Sequence, residues 1–536
     1  MRLLRKCWTR FGGMRGALLA LYLTFVLFTY SFIVQTQHSF SALIRSFSPI
    51  FFFSLVAAPF VIHRLERISI PEPAQEKPKE KRRFLIVVFI VTLIFFLASY
   101  AAYYPGFFTA DSVEQFEQVV DPSVPLNDWH PVFQTLFAIK LPLTLTGGWI
   151  GSIILFQIIL VSLAIGYAAA TLYEYAGRTF ALVSVVYILL NTWTAVLFTF
   201  AWKDVTFAIG ALFALSFAVN IYFTDGEWIK APAHAILYAL AIAFTTLARH
   251  NAILFTAPLM IASLFHMRGK IRLILPVCAI ALILIVRIPI YSALNVEAPG
   301  YRQVEKLGLP MNIIGSAVTY TPEKLDDEVL DFAYKIAPRD EWENSFKYGD
   351  FNHVKFNHWD NLQNIEDYGT ARVLKMALRC LVKSPVASLK GLISLTDPVY
   401  TLFDDYGITS IASIKNNPYG LNTKGIAPLR KILNLLVKVG PCALLPHLFQ
   451  YVGVMMLALV ACVLAKCRLN RWADWKRILL VLPVFAYNFG TMLLLSARFD
   501  ARRFFHYTFL LMPLFIAILF VKTKKGAQAT QARDDL

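Results

Sequence analysis

"FLIVVFIVTLIFFLASYAAYYPGFFTADSVEQFEQ", residues 84–118, carries the reading on which the fold turns. Its first half is an uninterrupted apolar run without the alternation of a barrel strand. As a helix it is long enough to cross a hydrocarbon core of about 30 Å. Pro105 and Gly106 then turn the chain, and Asp111 follows within "ADS", an acid placed just past the end of a span.

Working outward, comparable apolar runs occupy 17–36, 48–65, 149–173, 179–200, 205–222, 232–248, 252–266, 272–291, 442–464, 478–496 and 506–522. With 84–104 they make about twelve expected spans, the number that apolar runs of roughly twenty residues allow. Hydrophobic residues are 57% of the 536 and charged ones only 16%, which excludes a soluble globular chain. The expected fold class is therefore an all-α polytopic membrane protein. The run starting near Ala17 is followed by "SFIVQTQHSFSALIR" with no small-residue cleavage site, so it reads as a retained span.

The formal net charge of +17 does not call for a nucleic-acid partner, because cytoplasmic loops of membrane proteins concentrate Lys and Arg. With the basic N-terminus inside, "HRLERISIPEPAQEKPKEKRR", "HMRGKIR", "AKCRLNRWADWKR" and the tail "KTKK" all fall on the cytoplasmic side. This puts both termini in the cytoplasm and the protein in the cell membrane. Residues 131–146, "PVFQTLFAIKLPLTLT", are short and carry Lys140 and Pro142; as a span they would reverse every later loop. They are expected to form an interfacial helix on the outer surface. The six cysteines, Cys7, Cys278, Cys380, Cys442, Cys462 and Cys467, show no metal or redox spacing and no disulfide framework.

The expected organisation is two leading helices (1–69), a cytoplasmic linker (70–83), and a membrane core (84–291) with an external loop at 105–148. An external, mostly helical subdomain (292–440) follows, then C-terminal spans (441–522) and a cytoplasmic tail (523–536). The length of 292–440 and periodic segments such as "TARVLKMALRCLVKSPVASLKGLISL" argue for a folded unit.

Three groups of cations contradict the positive-inside bias and need another reason to sit outside: Lys203 with Asp204, Arg249 with His250, and the cluster Arg498, Arg502, Arg503 and His506. All are expected at the level of Asp111. Each also has a structural reading. Lys203 and Asp204 can form a snorkelling pair, Arg249 can cap a helix C-terminus, and the arginine cluster can neutralise lipid phosphates. Asp111 can N-cap "SVEQFEQVV", and His130-Pro131 can start a helix. Together, one loop acid among several cations suits a lipid-linked phosphate held by charged hydrogen bonds, beside a carboxylate able to accept a proton.

The order "YPGFFTADSVEQFEQ", "HPVFQTLF", "KDV", "LGLPMNIIG" and the Arg-rich entry to the last helix, spread over residues 84–520, resembles the GT-C superfamily of multispanning glycosyltransferases. The resemblance implies sugar transfer from a polyprenyl-phosphate donor to a glycan, lipid or protein acceptor on the outer face of the bilayer, in cell-envelope polysaccharide biosynthesis or a related process. It implies that Asp111 is the catalytic base of an inverting transfer, with His130 among the residues that shape the pocket and Glu114 a secondary acid about one helical turn beyond Asp111. Lys203, Arg249 and the arginine cluster would then stabilise the leaving phosphate. Two features depart from the family: a single loop acid where many members have a pair, and the two helices before residue 84. The pair Asp404-Asp405 suits either a loop surface or a divalent cation, so metal dependence stays open. The rival classes are a transporter or flippase, in which related halves and broken midplane helices are expected, and a polymerase of lipid-linked glycans.

Overall fold

The computed structural model describes residues 13–34, 40–71, 73, 78–301, 304–403, 417–498 and 501–522, except for the side chains of 34, 40–44, 501 and 502. Among these residues the structure is helical, with isolated bridges and no strand. Seven helical stretches are long and apolar enough to cross a membrane: Gly13–Ile33, Arg45–Arg67, Pro78–Tyr103, Gly151–Ala176, Lys203–Phe223, Ile271–Ala293 and Arg503–Phe520. Shorter apolar helices include Arg178–Leu190, Pro232–Ala248 and Val452–Lys466. This is a helical membrane protein.

The helices run alternately up and down between two ends of one bundle. Lys203–Phe223 and Arg503–Phe520 form its centre, each with 89% of its apolar window buried in the protein. Arg45–Arg67 (17%) and Ile271–Ala293 (11%) lie at its margin, their aliphatic faces turned outward as lipid would require. One end gathers the residues around Asp111. The opposite end gathers Lys81 with Glu174, Arg477 with Tyr222, Arg268 with Asp225 and Arg15 with Glu66. Gly13–Val34 and Phe40–Arg67 pack on each other and on Val452–Lys466, where a small separate core includes Leu19, Ile62 and Leu464.

Several boundaries differ from those read in the sequence. The expected span 179–200 is two helices, Arg178–Leu190 and Thr192–Leu197, broken at Asn191, whose side-chain amide donates to the Phe449 carbonyl (2.9 Å). Expected span 442–464 becomes a helix only at Val452, because Gly440, Pro441 and Pro446 divide the preceding residues into single turns. Helix Pro78–Tyr103 starts inside the linker drawn at 70–83. Residues 132–145 are helical with a π-helical turn at Thr135–Lys140. Both ends of that segment lie at the Asp111 end of the bundle. Tyr291 Oη accepts the Phe133 N–H at one end, and Trp149 Nε1 donates to Tyr104 Oη at the other, so the segment does not cross.

Between Val304 and Cys380 the chain has its own hydrophobic core, centred on Trp342, Phe332, Met311 and Phe351. The amphipathic helix Thr370–Lys383 packs on Pro385–Thr396, which also packs on Gly13–Val34. Residues 417–426 then cross the 103–117 loop: Thr423 Oγ1 donates to the Gly106 carbonyl (3.1 Å), and Tyr419 Oη donates to Glu117 (2.8 Å).

Candidate functional site

The loop after Pro78–Tyr103 is held by backbone pairing with another loop. The Phe107 N–H donates to the Thr199 carbonyl (2.8 Å) and the Ala201 N–H to the Phe107 carbonyl (3.1 Å). Gln157 donates to the Phe198 and Phe200 carbonyls from below (2.7 and 2.9 Å). Ser112 Oγ donates to the Ala201 carbonyl (2.8 Å), and Trp202 Nε1 donates to Thr109 Oγ1 (2.9 Å). These bonds set the start of helix Ala110–Val120 directly over the start of helix Lys203–Phe223.

Asp111 is not the N-cap of its helix. Thr109 occupies that position with extended backbone, and Asp111 lies in the first turn, where the helix dipole favours a carboxylate. Its side chain is 37% exposed, and Oδ2 stands 3.7 Å from Arg503 Nη2. Arg503 reaches Asp204 Oδ2 through Nε (3.3 Å), and Asp204 also pairs with Arg249. Asp204 is only 4% exposed, Arg249 6% and Arg503 9%, so two guanidinium groups share one buried carboxylate. Trp202 and Phe504 floor this group: Arg503 lies 4.6 Å over the Trp202 ring and 4.7 Å over Phe504, and Arg249 lies 4.4 Å over Phe504. Guanidinium planes on aromatic faces keep their charge while losing water.

Lys203 and Asp204, adjacent in sequence, point to different partners and form no pair with each other. The Lys203 ammonium donates to His130 Nδ1 at 2.7 Å. The proton of the neutral imidazole is thereby assigned to Nε2, which faces Glu114 at 3.7 Å. Burial, reinforced by Lys203, pushes the His130 imidazole down to about 3, so it is neutral at physiological pH. Burial alone would raise the Asp111 carboxyl. Arg503 and Lys203 outweigh it and hold the carboxylate well below the usual range. Glu114 moves the other way, raised chiefly by burial.

Of the residues singled out in the sequence, Asp111, Glu114, His130, Lys203, Asp204, Arg249 and Arg503 thus form one connected group. His250 lies at its edge, exposed, with Nε2 donating to the Asp128 carbonyl (3.0 Å). Arg498 stands apart: it pairs with Asp397 at 3.5 Å, and its backbone N–H donates to the Gly349 carbonyl, fastening the entry of the last helix to the folded unit that begins at Val304. His506 points into the core, where it bonds Thr194 at 2.9 Å. The Arg502 side chain and Asp404-Asp405 lie outside the described residues. Among the described residues no three His, Cys, Asp or Glu side chains converge as a metal-binding set.

Phe504 and Thr109 are site residues that the sequence reading passed over, and Trp202 entered it only as the neighbour of Lys203 in "WKD". Trp202 and Phe504 flank Lys203 and Arg503 directly, and an aromatic residue beside a misplaced cation was the available signal.

The helices and this group define a membrane protein with an ionic site at one end of its bundle, built from the termini of the two most buried helices. The chain matches no family model and no curated protein.

Proposed function

We propose that this protein is a membrane glycosyltransferase of about twelve spans, which moves a sugar from a polyprenyl-phosphate donor to a cell-envelope acceptor on the outer face. The observation that carries the reading is the partly exposed Asp111 carboxylate, held ionised by Arg503 and Lys203. Arg249 and Arg503 share Asp204, Arg503 also faces Asp111, and Lys203 meets the neutral His130, so three cations stand among the three carboxylates Asp111, Glu114 and Asp204.

In this mechanism the acceptor hydroxyl gives its proton to Asp111 as its oxygen bonds the anomeric carbon. The bond from that carbon to the phosphate oxygen breaks on the opposite side, with inversion. No acid is needed at the leaving group, because polyprenyl phosphate departs as a stabilised anion. Its charge is met by cations already desolvated and fixed by Asp204, Trp202 and Phe504, so little reorganisation is required. His130 keeps the Lys203 ammonium aimed, and Glu114 borders the acceptor side.

The test uses the full chain in lipid nanodiscs with a panel of polyprenyl-phosphate sugars and envelope extracts as acceptors. Wild type is expected to transfer sugar, Asp111→Asn to lose about 10²-fold or more, and Lys203→Ala to lose chiefly kcat. Full activity in both variants would overturn the site, and absence of transfer from every donor would overturn the class.

A further inference from the structure

Next to the ionic site lies an aromatic cluster that the transfer chemistry does not use. Trp129, adjacent in sequence to His130, meets Trp359 of the external unit edge to face, with centroids 5.6 Å apart and planes at 68°. Tyr301 also meets Trp359 edge to face (5.2 Å, 85°), and Phe356 lies parallel to it (6.0 Å, 7°). Phe356 is 58% exposed, with the Lys355 ammonium 4.7 Å from its ring centroid. Trp129 belongs to neither hydrophobic core, and Trp359 only borders the second. Within the described residues neither indole N–H is engaged. Asn357 and Asp360, also exposed, flank the rings in sequence.

The outermost ring of this seam is open and its indole donors are unspent. Such a surface, apolar on ring faces and hydrogen-bonding at ring edges, matches one chemical class closely. A pyranose presents C–H groups on its flat faces and hydroxyls around its rim. We infer that Trp129, Trp359 and Phe356 form a glycan-binding platform that receives the acceptor chain and leads its terminal hydroxyl past His130 to Asp111. The assignment rests on the glycosyl-transfer reading of the site and narrows its acceptor to a carbohydrate.

The test measures binding separately from transfer. The full chain in nanodiscs is titrated with soluble β-glucan, α-glucan and chitin oligosaccharides, followed by saturation-transfer NMR. At least one series is expected to bind wild type. Phe356→Ala and Trp359→Ala should bind about tenfold more weakly, equivalent to about 1.4 kcal/mol. Leu378→Ala, at a 63%-exposed position elsewhere on the same unit, should bind as wild type does. Because Phe356 is exposed, its loss should leave the melting temperature unchanged, which separates recognition from folding. Absence of binding by all three series, or binding indifferent to Phe356→Ala, would overturn the platform. Transfer to a lipid or protein acceptor with no oligosaccharide bound would overturn the platform and leave the transferase standing. Binding without any transfer would do the reverse.

Discussion

At the scale of the residue, the decisive arrangement is two arginines on one buried aspartate. Burying a guanidinium is costly unless it is paired, so removing Asp204 strands two charges at once. Asp204→Asn is expected to destabilise the fold by about 3–5 kcal/mol, read as a large fall in melting temperature in detergent. Asp111→Asn, at a partly exposed carboxylate, should lower the melting temperature far less than Asp204→Asn while reducing transfer about 10²-fold or more. The two acids are thereby separated into a structural and a reactive one. His130 supplies a pH dependence whose sign follows from its shift. Its folded-state value of about 3 lies below the ordinary 6.5, so its contribution to stability is fully present above about 6.5 and is lost as pH falls toward 3. Thermal melts across that window should slope downward with acidification, and His130→Gln should flatten part of the slope.

At the scale of the element, the site depends on how closely the 103–112 loop approaches the 198–202 loop. Gly106 has φ +124°, a conformation that side chains rarely adopt. A Cβ there would collide with Ile154 and stand 2.8 Å from the Thr199 carbonyl oxygen. Gly106→Ala is therefore expected to displace the loop, lowering transfer more than tenfold and costing about 1–3 kcal/mol. Activity and melting temperature would be measured side by side. A variant as active and as stable as wild type would show that this contact does not position Asp111. Helix existence was legible from apolar runs at this scale, but helix interruption was not. Asn191 breaks a run that hydropathy reads as continuous, because its amide is used by a carbonyl some 258 positions away. Thr109 takes the cap from Asp111 for a similarly non-local reason: Ser112 and Trp202 fix the loop from the other side.

At the scale of the whole molecule, helices that alternate between two ends place Asp111, Lys203, Arg249 and Arg503 at one end and the basic loops at the other. Cysteine mapping in intact cells tests which side that is. Ser123→Cys should react with a membrane-impermeant maleimide from outside, and Lys270→Cys only after permeabilisation, in a background with the native cysteines replaced. The reverse pattern would remove the outer-face reaction, whatever the chemistry.

Sequence alone made legible a helical membrane fold and the ionisable residues out of place near the ends of its apolar runs. Hydrophobic length and charge bias are local properties, readable over a score of residues. Only the tertiary structure decided which ends meet. It brought Arg503 to Asp204 and Asp111, turned Lys203 away from its neighbour toward His130, and sent Arg498 and His506 elsewhere. The physical reason is that a charge is buried only with a partner, and that partner is chosen by packing among helices far apart in sequence. The same packing brought Trp129 of the first loop against Trp359, a juxtaposition that no spacing in the chain announces.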